Sequence, residues 1–408
     1  MGKTLRLCGD DDEENISGSL RGAMMDTSIV KLELRFFQSA NRLLDDLFQC
    51  DDRSWEEVTI QACAGPLSSS LTRIHRLKRL TLSMVPMTEP LPLNPCLEEL
   101  SLFEVSLSEE VTRSIAETLA RPSMRIKKLD LTDSRFIDDA SSVMARGLRD
   151  NATLEILCLS ECNLMDEQIS DIVGALVHHP TIRDLDISFN KCRSSGVSAL
   201  ARLIRSDICK LTKLSMDFQA FGEGKRIEIS PILSALSSTN TCPLKQIGLG
   251  GNSLRDGDMQ TIINTLCENR ILQKVDLSEN RFSDEGIFSL TERMSEMMGL
   301  KHLLLDDNRF GLPGIGALAE ALESNTVIVE VEVAQNLKCS DAWSKVLYYT
   351  DLNWGGRRLL HEEVPVPLGL WPLLMERASN GKPEWMSRTP SAQDIIYCLI
   401  RGPAILHR

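Results

Sequence analysis

One phrase of sequence recurs along this chain with a nearly constant period. In residues 272–299, Leu272, Val275 and Leu277 form the pattern L-x-x-L-x-L, Asn280 stands at the ninth place, and an amphipathic stretch with helical spacing follows. Val275 and Leu277 are two residues apart, so a strand turns both to the same side. Each unit therefore predicts one strand and one helix, which bury their apolar faces only when a neighbouring unit stacks beside them.

The period is strict from residue 126 onward. The first places of eight regular repeats are Ile126, Leu154, Ile182, Leu211, Leu244, Leu272, Leu300 and Ile328. Four less regular copies precede them, beginning at Ile29, Trp55, Leu77 and Leu97, and prolines at 86, 90 and 92 disfavour a helix between the third and the fourth. The pattern predicts an α/β solenoid with one continuous core.

The ninth place has a separate expected role. The side-chain amide of Asn280 has donors and an acceptor that can satisfy backbone groups where the chain turns away from the strand. Because stacked copies repeat this place, we expect a ladder of such hydrogen bonds.

The repeats resemble the ribonuclease-inhibitor type of leucine-rich repeat. The resemblance rests on GIGALAEALESNTVIVEVEVAQN (314–336), ENRILQKVDLSEN and HHPTIRDLDISFN, and it covers residues 29–338. It implies a right-handed horseshoe, with parallel strands on the concave side and helices on the convex side. It does not imply a particular partner, because the partners of this family vary widely.

Composition divides the chain into three parts. Residues 1–26 are polar and are expected to form a flexible leader, 27–338 the solenoid (27–125 degenerate, 126–338 regular), and 339–408 a helical extension that contains four of the five tryptophans. We predict helices near 341–349, 370–379 and 391–401. The phrases DLNWGGRRLL, LWPLLMERA and DIIYCLIRGPAIL resemble a tail found on some algal repeat proteins. The extension is interpreted as a cap over the last strand, with a separate binding module as the alternative.

Charge and cysteine usage limit the partners. The net charge of −13 opposes binding to nucleic acid or to anionic membranes and favours a protein partner with a basic surface, while the oligomeric state stays open. The twelve cysteines form no C-x-x-C pair, and no run of about 18 apolar residues occurs. We expect reduced thiols and a cytoplasmic location, with the nucleus possible.

The third, fifth, seventh and eighth places of each regular repeat face away from the core or lie at the rim. In these four columns, acidic residues outnumber Lys128, Lys213, Lys274 and His302; the acids are Asp130, Asp133, Glu161, Asp184, Asp186, Asp217, Asp276, Glu279, Asp306, Asp307, Glu330 and Glu332. One interpretation is a solvated face that keeps the protein soluble. The other is a surface that attracts a basic partner.

One local feature interrupts the pattern. The repeat from Leu211 is five residues longer than its neighbours, with the excess placed in 221–231, and Phe189 and Phe218 occupy the same rim column of adjacent repeats. This aromatic pair is either a partner-binding hot spot or a packing element beneath the longer loop. The candidate partner-binding residues are Asp130, Asp184, Asp186, Phe189, Asp217, Phe218, Asp276, Glu279, Asp306 and Asp307.

No constellation of residues demands catalysis, a cofactor or a metal. Cys162 substitutes for the asparagine at the ninth place, and Cys158 and Cys192 are interpreted as structural. His178 and His179 end a helix, where a cation is favourable. We therefore expect a non-catalytic interaction scaffold. The alternative is a regulator of a small GTPase, since Ran GTPase-activating proteins resemble this chain in repeat type and length; a GTP hydrolysis assay separates the two.

Overall fold

The computed structural model describes residues 3–8, 29–35, 55–63, 71, 76–91, 93–219, 226–238 and 242–358. The chain forms two compact units, Met1–Phe221 and Gly222–Arg408. Each unit is built from the predicted alternation of strand and helix. The α/β repeat architecture expected from the sequence is confirmed.

The first unit contains parallel strands that pair in chain order. The described strands of its main sheet are β1 (Lys3–Cys8), β2 (Ile29–Arg35), β3 (Glu57–Gln61), β4 (Arg79–Ser83), β5 (Glu99–Phe103), β7 (Lys128–Asp130), β9 (Ile156–Cys158), β10 (Asp184–Asp186) and β11 (Lys213–Ser215). Strands β6 (Ser106–Leu107) and β8 (Arg135–Phe136) form a small second sheet. Strand β1 pairs with β2 and lies in the stretch expected to be flexible, so that expectation fails for these six residues.

The helices of the first unit follow the predicted positions. They are α1 (Glu109–Leu119), α2 (Ala140–Asp150), α3 (Asp166–Leu176) and α4 (Ser194–Arg205). The described residues between β4 and β5 include no helix, as the prolines there predict. Helices α1 and α2 approach closely because Gly147 has no side chain; a Cβ on it would lie 2.5 Å from the Cα of Ala116.

The second unit continues the same alternation. Its described strands are β12 (Gln246–Gly248), β13 (Lys274–Asp276), β14 (His302–Leu304) and β15 (Glu330–Glu332). Its described helices are α5 (Ser230–Ser238), α6 (Asp256–Glu268), α7 (Asp284–Glu292), α8 (Leu312–Ser324) and α9 (Asp341–Trp354). Helix α9 contacts α8 and β15, where Trp343 is buried. The helices predicted at 370–379 and 391–401, and most of the extension, lie outside the described residues.

The core is formed by the places that the repeat predicts. Val275 and Leu277 are buried, and in the first unit Leu129 and Leu131 occupy the same two places and are also buried. The helices bury their matching faces, as Ile287 and Leu290 do in α7. Within the described residues, no helix is long and apolar enough to cross a membrane.

The ninth-place side chains form the expected ladder in both units. The amide nitrogen of Asn280 donates to the carbonyls of Leu249, Leu277 and Ser278, at 3.0, 3.0 and 3.1 Å. Its oxygen accepts from the backbone N–H groups of Asn252 and Leu254 in the preceding repeat. Each such side chain therefore completes the turn of its neighbour.

In the first unit, a cysteine and a glutamine occupy the ninth place of two repeats and continue this ladder. The Sγ of Cys162 lies 3.0 Å from the carbonyl oxygen of Leu131, and Gln219 Nε2 donates to Ile187 O at 2.7 Å. These distances support the structural interpretation of Cys162. Burial raises the pKa of its thiol to about 12, so it stays protonated.

A second ladder runs through the turn before each strand. Asn269 and Asn325 each accept two backbone N–H groups of their own turn and donate to a carbonyl of the preceding helical segment. His179 occupies this place in one repeat, where Nε2 lies 3.3 Å from Asn151 Oδ1 and Nδ1 lies 3.5 Å from the N of Thr181. The neutral ring with hydrogen on Nε2 satisfies both contacts.

Burial lowers the pKa of His179 to about 4, so the ring is uncharged at neutral pH. The prediction of a cation at this helix end is therefore wrong for His179. His178 is exposed. Asn151 is buried and donates to Leu119 O, which opposes glycosylation at its N-x-T sequence.

A third ladder joins the helix starts. Asp284 Oδ1, in the first turn of α7, accepts from the N–H groups of Gly311 and Gly314 at the start of α8, at 2.9 and 2.8 Å. Asp166 accepts similarly from residues at the start of α4. Burial acts to raise the pKa of Asp166, but these backbone N–H groups outweigh it and hold the pKa below its usual range. One carboxylate thus caps the helix of the next repeat.

Gly314→Ala is expected to destabilise the protein by about 1–2 kcal/mol, the usual effect of losing a helix cap. The added Cβ would lie 2.8 Å from Asp284 Oδ1 and 3.0 Å from Cδ2 of Phe310. Urea unfolding of both variants measures the effect. The control, Gly316→Ala in the same helix, meets no atom within 4 Å and should be neutral or stabilising by about 0.5–1 kcal/mol. Equal effects of the two substitutions would contradict the capping ladder.

His179→Asn is expected to flatten the dependence of stability on pH. The folded-state pKa of His179 is depressed, so the unfolded chain binds the proton more readily, and stability present above pH 6.5 is lost as the pH falls from 6.5 toward 4. Asparagine does not titrate and is the residue that the other turns use. The measurement is the free energy of unfolding of both proteins between about pH 7.5 and about pH 4.5, which runs from about one unit above to about two units below the usual histidine pKa. Parallel curves would show that His179 does not titrate as described.

Candidate protein-binding surface

The outward side chains of the first strands neutralise one another. Glu57 on β3 pairs with Lys31 on β2 and Arg79 on β4, both at 2.7 Å, and Glu33 pairs with Arg6 at 2.8 Å. The two ion pairs of Glu57 form because the third place is in register across β2, β3 and β4, and Arg6 is in register with Glu33 at the fifth place of β2. This ladder of ion pairs was not predicted from the sequence, although alternating charge at the third strand place is a visible signal of it.

The outward acids of the first unit lie mainly on β7 and β10. Asp130 is buried, with Oδ1 accepting from Thr132 and Oδ2 3.1 Å from Lys128 Nζ. Asp184 is half-buried, and its Oδ2 lies 3.2 Å from Lys213 Nζ. Lysines therefore offset two of the predicted carboxylates locally. Asp130 and Asp184 are the least available of the candidate residues for a partner.

Asp186 and Asp217 are half-buried on the same surface. Asp186 Oδ1 accepts from the backbone N–H of Ser188 at 2.9 Å, and Ser188 Oγ lies 3.5 Å from Asp217 Oδ2. Asp186 is therefore held by a backbone N–H rather than by a lysine or arginine of the described residues, and it contributes negative charge to the outward surface.

The Cys158 thiol lies among the negative charges of this surface. Register places it between Asp130 and Asp186 in the fifth column of β7, β9 and β10. Burial, followed by the negative charges of Asp130 and Asp186, raises the pKa of its thiol to about 12. The thiol is therefore protonated and unsuited to nucleophilic chemistry at neutral pH.

The second unit presents a corresponding set of acids. Asp276 is half-buried and accepts from the N–H of Ser278 at 2.9 Å, while Glu279 and Asp307 are exposed. Asp306 is half-buried; burial first, and then the charges of Glu332, Asp307 and Asp276, raise its pKa, although Lys338 opposes them. Burial is thus the main reason that the pKa of Asp306 is raised, and the neighbouring carboxylates add to it.

Two basic side chains pair with outward acids of the second unit, and one of them, Lys338, was not predicted from the sequence. Lys338 Nζ lies 2.8 Å from Glu332 Oε2, and it follows the last repeat rather than belonging to an outward column. His302 Nδ1 lies 2.6 Å from Glu330 Oε2, as the register of β14 and β15 predicts for neighbours in one column. Asp276, Glu279 and Asp307 stand outside these two ion pairs.

The eighth place of the repeat forms a continuous rim. In the regular repeats of the first unit this rim ladder consists of Asp133, Glu161, Phe189 and Phe218, all of which have positive φ, from 54 to 58°. The N–H of Glu161 donates to Ser188 O, and that of Phe189 donates to Asp217 O, at 3.1 and 2.8 Å. The left-handed turn keeps each N–H in the interstrand ladder while the chain leaves the strand. Gly251, Glu279 and Asp307 have the same geometry in the second unit.

Phe189 and Phe218 are stacked neighbours in this rim ladder. Their ring centroids are 4.5 Å apart, and their planes differ by 8°. Phe189 is 38% exposed and Phe218 is half-buried. Residues 220–225 of the insertion, including Phe221, lie outside the described residues, so the role of the loop over the aromatic pair stays a prediction.

The described residues contain no cluster of three or more His, Cys, Asp or Glu that could hold a metal ion. The ten described cysteines form no disulfide bond with one another. Cys192 is buried, and this burial, together with the charge of Asp166, raises the pKa of its thiol to about 12. Its packing supports the structural interpretation.

Comparisons with known proteins agree with the repeat pattern. A family model described as Leucine Rich repeat matches residues 178–201 and 268–290. Mouse ribonuclease inhibitor is 26% identical over 230 residues, which cover 52% of this chain and 49% of the relative. Bovine NACHT, LRR and PYD domains-containing protein 5 is 26% identical over 209 residues, covering 45% of this chain and 19% of the relative. The matches thus span about half or less of these relatives.

Among solved structures, an internalin of Listeria monocytogenes is similar, with 15% identity and a TM-score of 0.45 over 79% of this chain and 88% of that one. The repeat period, the parallel strands alternating with helices, and the family match concur. The chain is a leucine-rich-repeat protein with repeats of the ribonuclease-inhibitor-like type.

Proposed function

We propose that the protein is a non-catalytic interaction scaffold that binds a protein partner with a basic surface through the outward face of its strands. Leucine-rich-repeat proteins are generally protein-interaction scaffolds. A preformed row of strands offers a large surface without ordering a loop on binding. The partner's basic character is argued from the carboxylates on this surface.

The proposal rests on the outward carboxylates of each unit that no ion pair of the described residues offsets. In the fifth column, Asp130 and Glu332 are paired with Lys128 and Lys338, whereas Asp186 and Asp276 are not. Asp186 and Asp276 are held by backbone N–H groups rather than by cations. The raised pKa values of Cys158 and Asp306 are explained first by burial and then by neighbouring carboxylates. A surface with this field attracts cationic groups and raises the rate of their association.

The same field argues against nucleic acid and anionic membranes as partners, since phosphates would be repelled. We also propose a cytoplasmic location, because the described cysteines form no disulfide bond with one another and several are buried within the repeats. Purification from the native source followed by mass spectrometry identifies the partner. The result tests both the class of partner and the cytoplasmic location.

The central test uses charge reversal on the outward face. Asp186→Lys combined with Asp276→Lys should slow association with a basic protein by about tenfold or more, because steering depends on the local field. Protamine at low ionic strength serves as the probe, and stopped-flow fluorescence gives the rate. Melting temperatures of all variants verify that the fold is intact.

The matched control reverses the same number of charges on the outer helices. Asp171 in α3 and Glu268 in α6 are both exposed, so Asp171→Lys with Glu268→Lys changes the net charge equally. This variant should retain most of the association rate. If both double variants slowed association equally, net charge alone would explain binding, and the outward face would have no special role.

A further inference from the structure

A lysine that follows the last strand lies against the outward surface of the second unit. Lys338 Nζ is 2.8 Å from Oε2 of Glu332, which occupies the fifth place of β15. The Lys338 side chain is 26% exposed, whereas a lysine at a protein surface is usually well exposed. This cation is therefore held in place on the outward surface.

An aromatic ring completes the surroundings of the ammonium group. Nζ of Lys338 lies over the Trp343 ring, 5.8 Å from its centroid, which is within the range of a cation–π contact. Trp343 is buried in the first turn of α9, and its backbone N–H donates to Ser340 Oγ. Glu332 and Trp343 thus form a binding site for one ammonium group, because a carboxylate and an aromatic face both attract a cation.

The charge of Lys338 also acts on a second outward acid. Burial raises the pKa of Asp306, and the positive charge of Lys338 opposes this rise. Asp306 stands at the seventh place of the repeat before that of Glu332. One lysine therefore reduces the negative charge at two places of the outward surface.

The backbone fixes Lys338 on both sides. Leu337, which ends a short 3-10 helix (Gln335–Leu337), is buried, and so is Trp343 on the other side. The N–H of Lys338 donates to Gln335 O at 3.2 Å. Because this lysine belongs to the same chain and is already positioned, its effective concentration at Glu332 is high compared with that of a free partner.

We propose that Lys338 is an intramolecular competitor, which occupies the Glu332 carboxylate in place of a basic residue of the partner. The contact is autoinhibitory, because it removes one acid from the surface that attracts cations. Asp276, Glu279 and Asp307 then receive the partner in this unit. The inference rests on the proposed function and specifies it, because it defines where the binding surface ends.

Titration calorimetry of the full chain with a peptide of alternating glycine and lysine tests the competitor. Lys338→Gln removes the ammonium group and keeps a polar side chain, so the peptide should bind about two- to five-fold more tightly, the range expected for one exposed ion pair. The matched control is Lys345→Gln, since Lys345 is exposed on α9 and its loss changes the net charge equally. The control should increase the affinity less.

The Glu332 carboxylate distinguishes competition from a general effect of charge. Glu332→Gln should weaken binding more in the Lys338→Gln background than in the unmodified chain, because only the vacated carboxylate contacts the peptide. The four proteins form a double-mutant cycle, and the difference between the two effects of Glu332→Gln measures the competition.

A second neutral variant guards against a loss of folding. Lys338→Met places a flexible apolar end against Trp343 and should bind the peptide as tightly as Lys338→Gln does. Melting temperatures of all variants verify that the compared proteins are folded.

Equal affinities of the unmodified chain and the neutral Lys338 variants would overturn the competitor and leave the proposed function standing. An equal gain in Lys345→Gln, or equal effects of Glu332→Gln in the two backgrounds, would also overturn it, since net charge would then explain the result. If the peptide bound to none of these proteins, the proposed function would fail as well.

Discussion

The structure depends on hydrogen bonds that each repeat provides to its neighbour. Asn280 illustrates the principle: its amide satisfies three carbonyls and two N–H groups at turns that the backbone alone leaves incomplete. An unsatisfied buried backbone group costs about 1–3 kcal/mol, so these side chains determine where each turn can form. Strand register follows from the turns, and the outward columns follow from the register.

This construction separates the residues that maintain the fold from those that are free to vary. Places four and six of each strand are buried and must stay apolar, as Val275 and Leu277 show. Places three, five and eight contribute little to the core, so their charges accumulate without large cost to stability. The ion pairs of β2 to β4 and the carboxylates of β7 and β10 show two different uses of the same outward places.

Much of the fold was predictable because it rests on period and residue type. The spacing from Ile126 onward located the strands and helices, and the ninth-place asparagines indicated their ladder. Strand β1 was not expected because its short apolar stretch follows no full repeat, and pairing with β2 stabilises it. The charge state of His179 was not predicted correctly because burial in a turn, rather than the nearby helix end, dominates its pKa.

The candidate surface was predicted less completely. Column position correctly brought Phe189 and Phe218 together, but their parallel stacking depends on side-chain torsions that a repeat pattern does not specify. The local neutralisation of Asp184 by Lys213 depends similarly on the reach of a flexible side chain across adjacent strands. Lys338 approaches Glu332 from outside the repeat array, which no column assignment anticipates.

The fold requires that the ninth-place side chain of one repeat complete the turn of the preceding repeat. Native-state hydrogen exchange of the Asn280→Ala variant tests this requirement. The N–H groups of Asn252 and Leu254, which donate to Asn280, should exchange much faster, whereas that of Phe282, which donates to Asn308, should keep most of its protection. Unchanged protection at Asn252 and Leu254 would contradict this requirement.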